Sequence, residues 1–177
     1  TGDKDNERWV LKAPLFTTFL YELADAFPDA GFVFTNRDPI QLLPSTCGMA
    51  EALASVSMRY TNGLSHLGCA VAERMFTYSV AQLAFCAKLP AGIRAPLVLR
   101  YEEVIADPIG TVERVYQQVD RKLSEETRVA MQKHLLKNKQ HTHGRPSYSL
   151  AKFGLNKAAL EMRFEEYRKN CQCEIKS

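Results

Sequence analysis

Long apolar runs are missing from this chain. No stretch of eighteen consecutive apolar residues occurs, which argues against a membrane span. An excess of charge of one sign is missing too: 23 Lys and Arg stand against 20 Asp and Glu, a formal net charge of +3. Nothing therefore steers the chain toward nucleic acid in general, and any anion site has to be local. The opening residues, TGDKDNERW, lack the basic-then-apolar order of a signal peptide. The five cysteines (Cys47, Cys69, Cys86, Cys171 and Cys173) form neither a C-x-x-C pair nor a compact disulfide framework. They suit reduced thiols in a cytosol-like compartment, with the terminal C-x-C read as part of a frayed tail. Internal repeats and low-complexity blocks are absent, and so is a G-x-x-x-x-G-K-[ST] loop, which weakens a kinase-like reading.

What is present is an ordinary globular composition, 46% apolar and 24% charged. A length of 177 residues suits one domain over residues 1–177, able to bury roughly two thirds of its unfolded surface. RWVLKAP alternates and then breaks at Pro14, the pattern of a short strand from Arg8 to about Lys12. Leu15, Phe19, Leu20, Leu23 and Phe27 mark one helix face, and GFVFT follows as a continuous apolar run of the kind buried on both faces. Asp38-Pro39 reads as an N-cap with proline at the first helical position, opening a helix to about Ser57. A long helix is expected from Leu64 to Ala87, then a loop at PAGIRAP and a third strand at LVLRY. Asp107-Pro108 repeats the cap chemistry, Ser124 opens a helix through about Lys137, and a last amphipathic helix covers about Lys157 to Arg168. Strands alternating with helices imply an α/β fold: a parallel sheet of about three strands, thin for its class, with a helix-rich C-terminal half.

The chemistry concentrates at strand ends. Arg37 follows the second strand at the carboxyl edge of the sheet, where open parallel sheets take ligands. Free N–H groups of the next helix would face the same space, and Ser45 could add a hydroxyl, a set that suits a phosphate. The plainer account pairs Arg37 with a carboxylate and leaves Ser45 on a helix surface. Lys12 closes the first strand at the same edge, either reaching an anion or simply solvated. The polar loop HTHGRPSYS holds His141, His143, Gly144 and Arg145, and Arg145 could close over an anion or belong to a basic surface loop. No carboxylate or cysteine completes a metal set with the two histidines, so no metal is expected.

Together, RWVLKAP, FPDAGFVFTNRDPIQLLPS, LRYEEVIADP, HGRPSYSLAKFGL and RFEEYR resemble the later part of a sulfotransferase that uses 3′-phosphoadenosine 5′-phosphosulfate. The resemblance covers nearly the whole chain in the family's order, and the Arg–Ser pair across R-D-P is its most specific element. It implies that Arg37 and Ser45 hold the 3′-phosphate of the donor, and that Gly144 and Arg145 form a late loop closing over it. It also implies that Tyr101 lies near the adenine. Lys12 matches the lysine beside the bridging region of the sulfonate, where it would neutralise charge on the leaving phosphate oxygen. The acceptor would be a hydroxyl or amine of a small molecule or glycan, and no metal is implied.

Two departures stand out. Phe16 occupies the place where many relatives carry a histidine, and a phenyl ring cannot take the acceptor's proton. The family's opening strand, glycine-containing donor loop and helix have no counterpart before Arg8. The chain is therefore expected to supply half of a donor site, inactive by itself. Another segment or subunit should complete its sheet. The alternative is a degenerate, non-catalytic relative serving in a larger assembly.

Overall fold

The computed structural model describes residues 9–57, 63–138 and 148–172. A 3-10 helix, Pro14–Phe19, leads into α1, Leu20–Ala26. Strand β1 (Val33–Asn36) is followed by α2 (Pro39–Ser57) and by α3 (Gly63–Ala87). Strand β2 (Leu97–Arg100) runs directly into α4 (Tyr101–Ala106), then α5 (Pro108–Gln118) and α6 (Glu125–Lys137). A short 3-10 turn, Ala151–Phe153, precedes α7 (Lys157–Arg163) and α8 (Glu165–Gln172). The α/β class holds, and β1 and β2 pair in parallel with Val33 opposite Leu97 and Asn36 opposite Arg100.

Four elements differ from the sequence reading. Among the described residues the sheet has two strands, because Trp9–Ala13 is irregular where a strand was expected to end at Lys12. Trp9 and Val10 are 86% and 90% exposed. A strand makes no hydrogen bonds within itself, so alternation alone cannot hold one without a neighbour. Second, β1 is not buried on both faces. Phe32 packs on Phe85 of α3 and Phe34 meets the same ring edge-on, whereas Thr35 on the opposite face is exposed. Third, the last helix is two helices, interrupted at the fully buried Phe164, and fourth, α4 occupies residues read as strand end and loop.

Helix α3 is the spine. The 3-10 helix at Pro14–Phe19, α1, α2, the turn at Ala151–Phe153 and α8 all pack against it. Three apolar clusters line it: Leu20, Ala24 and Phe32 around Phe85; Cys47 and Phe153 around Leu67; and Ile40, Leu43, Leu160 and Phe164 around Ala72. Close approach needs glycine at two places. A Cβ on Gly68 would come within 2.2 Å of the Phe153 carbonyl oxygen, and one on Gly48 of α2 within 2.4 Å of the Tyr148 ring. No helix among the described residues is long and apolar enough to cross a membrane.

Candidate functional site

The parallel register brings two predicted site residues together. With Asn36 opposite Arg100, the next residues of both strands, Arg37 and Tyr101, emerge side by side at the carboxyl end of the sheet. The Arg37 guanidinium lies 4.3 Å from the centroid of the Tyr101 ring, a cation–π stack. The Nε of Arg37 is buried and has no hydrogen-bond partner among the described residues. A buried donor left unmade costs about 1–3 kcal/mol, so such a group calls for a reason.

Tyr101 is fixed from below. Glu103, two residues along α4, accepts from Arg100 Nε at 2.7 Å and from Arg114 Nη1 of α5 at 2.9 Å. Those two hydrogen bonds hold its carboxyl below the ordinary carboxylate range. The pair of arginines locks α4 between the end of β2 and α5, and with it the ring beneath Arg37.

The start of α2 differs from the expected anion cradle. Pro39 has no N–H, the Ile40 N–H donates to Asp38 Oδ1 at 3.0 Å, and the Gln41 N–H donates to the Asp38 carbonyl at 3.1 Å. The first turn is thus capped by the chain itself, and the positive character of this edge rests on side chains. Asp38 is held in turn by Arg168 of α8: Nη2 donates to Oδ2 at 3.3 Å, and Nε lies 3.3 Å from Oδ1. That second contact is an ion pair without hydrogen-bond alignment, since Arg168 Nε counts among the buried donors left unbonded. On the other side of Arg37, Asn36 is buried and accepts through Oδ1 from Gln82 Nε2 of α3 at 2.9 Å. The Tyr167 hydroxyl of α8 donates to Gln82 Oε1 at 3.4 Å.

The remaining predicted residues are more scattered. Ser45 is exposed on α2, its hydroxyl donating to the Leu42 carbonyl at 2.8 Å, a bond it would have to give up to serve a ligand. Lys12 is exposed in the irregular segment and ends no strand. Phe16 is half-buried in the first 3-10 helix. Gly144 and Arg145, with His141 and His143, lie outside the described residues. Tyr148, which follows that segment, packs on Gly48, one turn along α2 from Ser45. No group of three His, Cys, Asp or Glu suited to a metal occurs among the described residues. Burial pushes the Cys47 thiol up, away from reactivity.

The sequence reading missed Asn36, Gln82, Tyr167 and Arg168. Gln82, polar within an apolar run of α3, was the one local signal. RFEEYR contains Tyr167 and Arg168 but says nothing of partners 85 and 130 residues away.

Comparisons with known proteins identify the family. A family model described as "Sulfotransferase family" matches residues 2–125. Among solved structures, the chain is similar to the sulfotransferase STF9 from Mycobacterium avium, with TM-score 0.81 and 25% identity over 96% of this chain. It is also similar to the sulfotransferase STF1 from Mycobacterium tuberculosis H37Rv, with TM-score 0.73 and 30% identity over 90% of this chain. The chain spans 43% and 40% of the length of those two structures. No curated protein sequence matches it. An Arg–Ser pair set across a strand end and helix start, in a fold and a sequence both similar to sulfotransferases, leads to one assignment: the chain belongs to the sulfotransferase family.

Proposed function

We propose that this chain supplies the 3′-phosphate-binding half of a sulfotransferase site whose donor is 3′-phosphoadenosine 5′-phosphosulfate. The observation that carries the reading is Arg37: a stacked guanidinium at the carboxyl end of the sheet with its buried Nε–H unpartnered among the described residues. A phosphate oxygen is the acceptor that such a fork fits, and Arg binds phosphate in this planar way. Asp38 does not cancel that charge, because Arg168 is paired with it.

In this reading Ser45 turns its hydroxyl from Leu42 toward the same phosphate, and Tyr101 both carries Arg37 and borders the adenine. Gly144 and Arg145 close over the phosphate from the segment before Tyr148. Lys12 meets the charge that develops on the leaving phosphate oxygen. The donor supplies the sulfonate: its S–O bond to the 5′-phosphate breaks as a new bond forms to the acceptor's oxygen or nitrogen. The acceptor's proton must pass to a base that Phe16 cannot be. The donor loop comes from another polypeptide segment or subunit that also completes the two-stranded sheet. The acceptor is a small molecule or glycan, and no metal is required. The rival reading, a non-catalytic relative, has Phe16 in its favour but gives no reason for an unsatisfied buried donor at this edge.

The test is thermal. In a protein that joins this chain to a donor-loop segment, 3′-phosphoadenosine 5′-phosphate is expected to raise the melting temperature, and Arg37→Ala to remove the rise. A bidentate Arg–phosphate contact is worth on the order of 1.5–3 kcal/mol, enough to read. An unchanged rise in the variant overturns the assignment.

A further inference from the structure

Consecutive residues of α8 hold both chain neighbours of Arg37. Tyr167 reaches Asn36 through Gln82, with hydrogen bonds of 3.4 and 2.9 Å, and Arg168 pairs with Asp38 at 3.3 Å. Asn36 is 5% exposed and Tyr167 9%, so the first arm of this grip is shielded from water, where hydrogen bonds hold geometry best. Arg37 itself stacks on Tyr101, its guanidinium carbon 4.3 Å from the ring centroid.

We propose that Tyr167 and Arg168 are positioning residues: the α8 clamp on Asn36 and Asp38 fixes the backbone around Arg37 and so aims its guanidinium at the 3′-phosphate. The proposal rests on the phosphate reading above and adds to it a part for the end of the chain. Helix α8 lies against α3, where Tyr167 meets Gln82, and against the turn between β1 and α2 through Arg168. Gln82 joins the spine to Asn36 directly, and α8 braces that contact through Tyr167. Arg163 of α7 makes a comparable ion pair, to Glu73 of α3, with Nη2 donating to Oε2 at 2.6 Å. That pair docks the same region of the chain without touching residues 36–38, which makes it the control.

The experiment compares binding of 3′-phosphoadenosine 5′-phosphate with adenosine 5′-phosphate by the full chain, and follows solvent exchange of the Arg37 Nε–H by nuclear magnetic resonance. The unaltered chain is expected to prefer the nucleotide with the 3′-phosphate, and Arg37→Ala to lose the preference. Arg168→Met is expected to cut the preference roughly three- to tenfold, the size of a coupling between neighbouring side chains, and to speed Nε–H exchange. Arg163→Met is expected to move neither. Asp38→Asn serves where Arg168→Met fails to fold. It breaks the ion pair from the other side, while asparagine still caps α2. It also removes the negative charge, so lost preference with faster exchange supports positioning over electrostatics. Preference and exchange both unchanged in Asp38→Asn, or equal losses in Arg163→Met, overturn the positioning role and leave the phosphate reading standing. No preference in the unaltered chain overturns the phosphate reading and the positioning role together.

Discussion

Arg37 illustrates how a residue's chemistry is set by what lies on each side of it. Its charge is ordinary, but its planar fork is stacked on Tyr101, and lysine could reproduce neither the plane nor the paired donors. Arg37→Lys should therefore keep part of any nucleotide-induced rise in melting temperature yet lose the preference for a 3′-phosphate. A full preference in that variant would mean that charge alone is being read. Gly48 is the second residue whose identity is dictated by a neighbour. A methyl group there would meet the Tyr148 ring at 2.4 Å. Gly48→Ala should cost about 1–3 kcal/mol in chemical denaturation, as overpacking of tight contacts does. An unchanged midpoint would show that Tyr148 turns aside freely.

Among the elements, α4 and α5 show how short helices are held by their ends. Asp107 caps α5, its Oδ1 accepting from the Gly110 N–H at 2.9 Å, and Asp107→Ala should cost about 1 kcal/mol. Denaturation with an unchanged midpoint would contradict this. Glu103 ties α4 to both flanking elements, and its carboxyl is held below its usual range by hydrogen bonds from Arg100 and Arg114. A carboxylate with a depressed folded value contributes fully above the unfolded carboxylate range. That contribution is lost as pH falls through the lower folded value. Acid unfolding of Glu103→Gln should accordingly be less steep across that window, with the difference from the parent chain largest at neutral pH. A constant difference at every pH would place the stabilisation elsewhere.

At the scale of the whole molecule the sheet is the weak point. Two strands of four residues, each with a neighbour on one side only among the described residues, leave backbone groups open to pairing. Trp9, Val10, Leu15 and Phe19 lie exposed along the segment that leads into the spine. We expect the isolated chain to associate in a concentration-dependent way in sedimentation. A monomer at every concentration would refute this. If the chain supplies half of a donor site as proposed, it should also transfer no sulfonate alone, because half a site cannot orient the donor's reacting end. Measurable transfer by the purified chain would show that the donor loop lies within these 177 residues.

Local chemistry was legible in the sequence because its bonds are short in chain distance. Asp38-Pro39, Asp107-Pro108 and Ser124 each open a helix where the cap pattern says they should, through contacts spanning two or three residues. The Arg37–Ser45 spacing was likewise a property of one strand end and one helix. Tertiary structure alone decided the rest. A strand has no internal hydrogen bonds, so alternation at RWVLKAP could not hold residues 9–12 in a ladder, whereas LVLRY found β1 as its partner. The stacking of Arg37 on Tyr101 depends on parallel register, which no single strand encodes. Asn36 finds Gln82 across 46 residues, and Asp38 finds Arg168 across 130. Such pairs depend on packing that brings α3 and α8 to the sheet edge. The cation was readable from the chain, and the side chains packed around it were set by the fold.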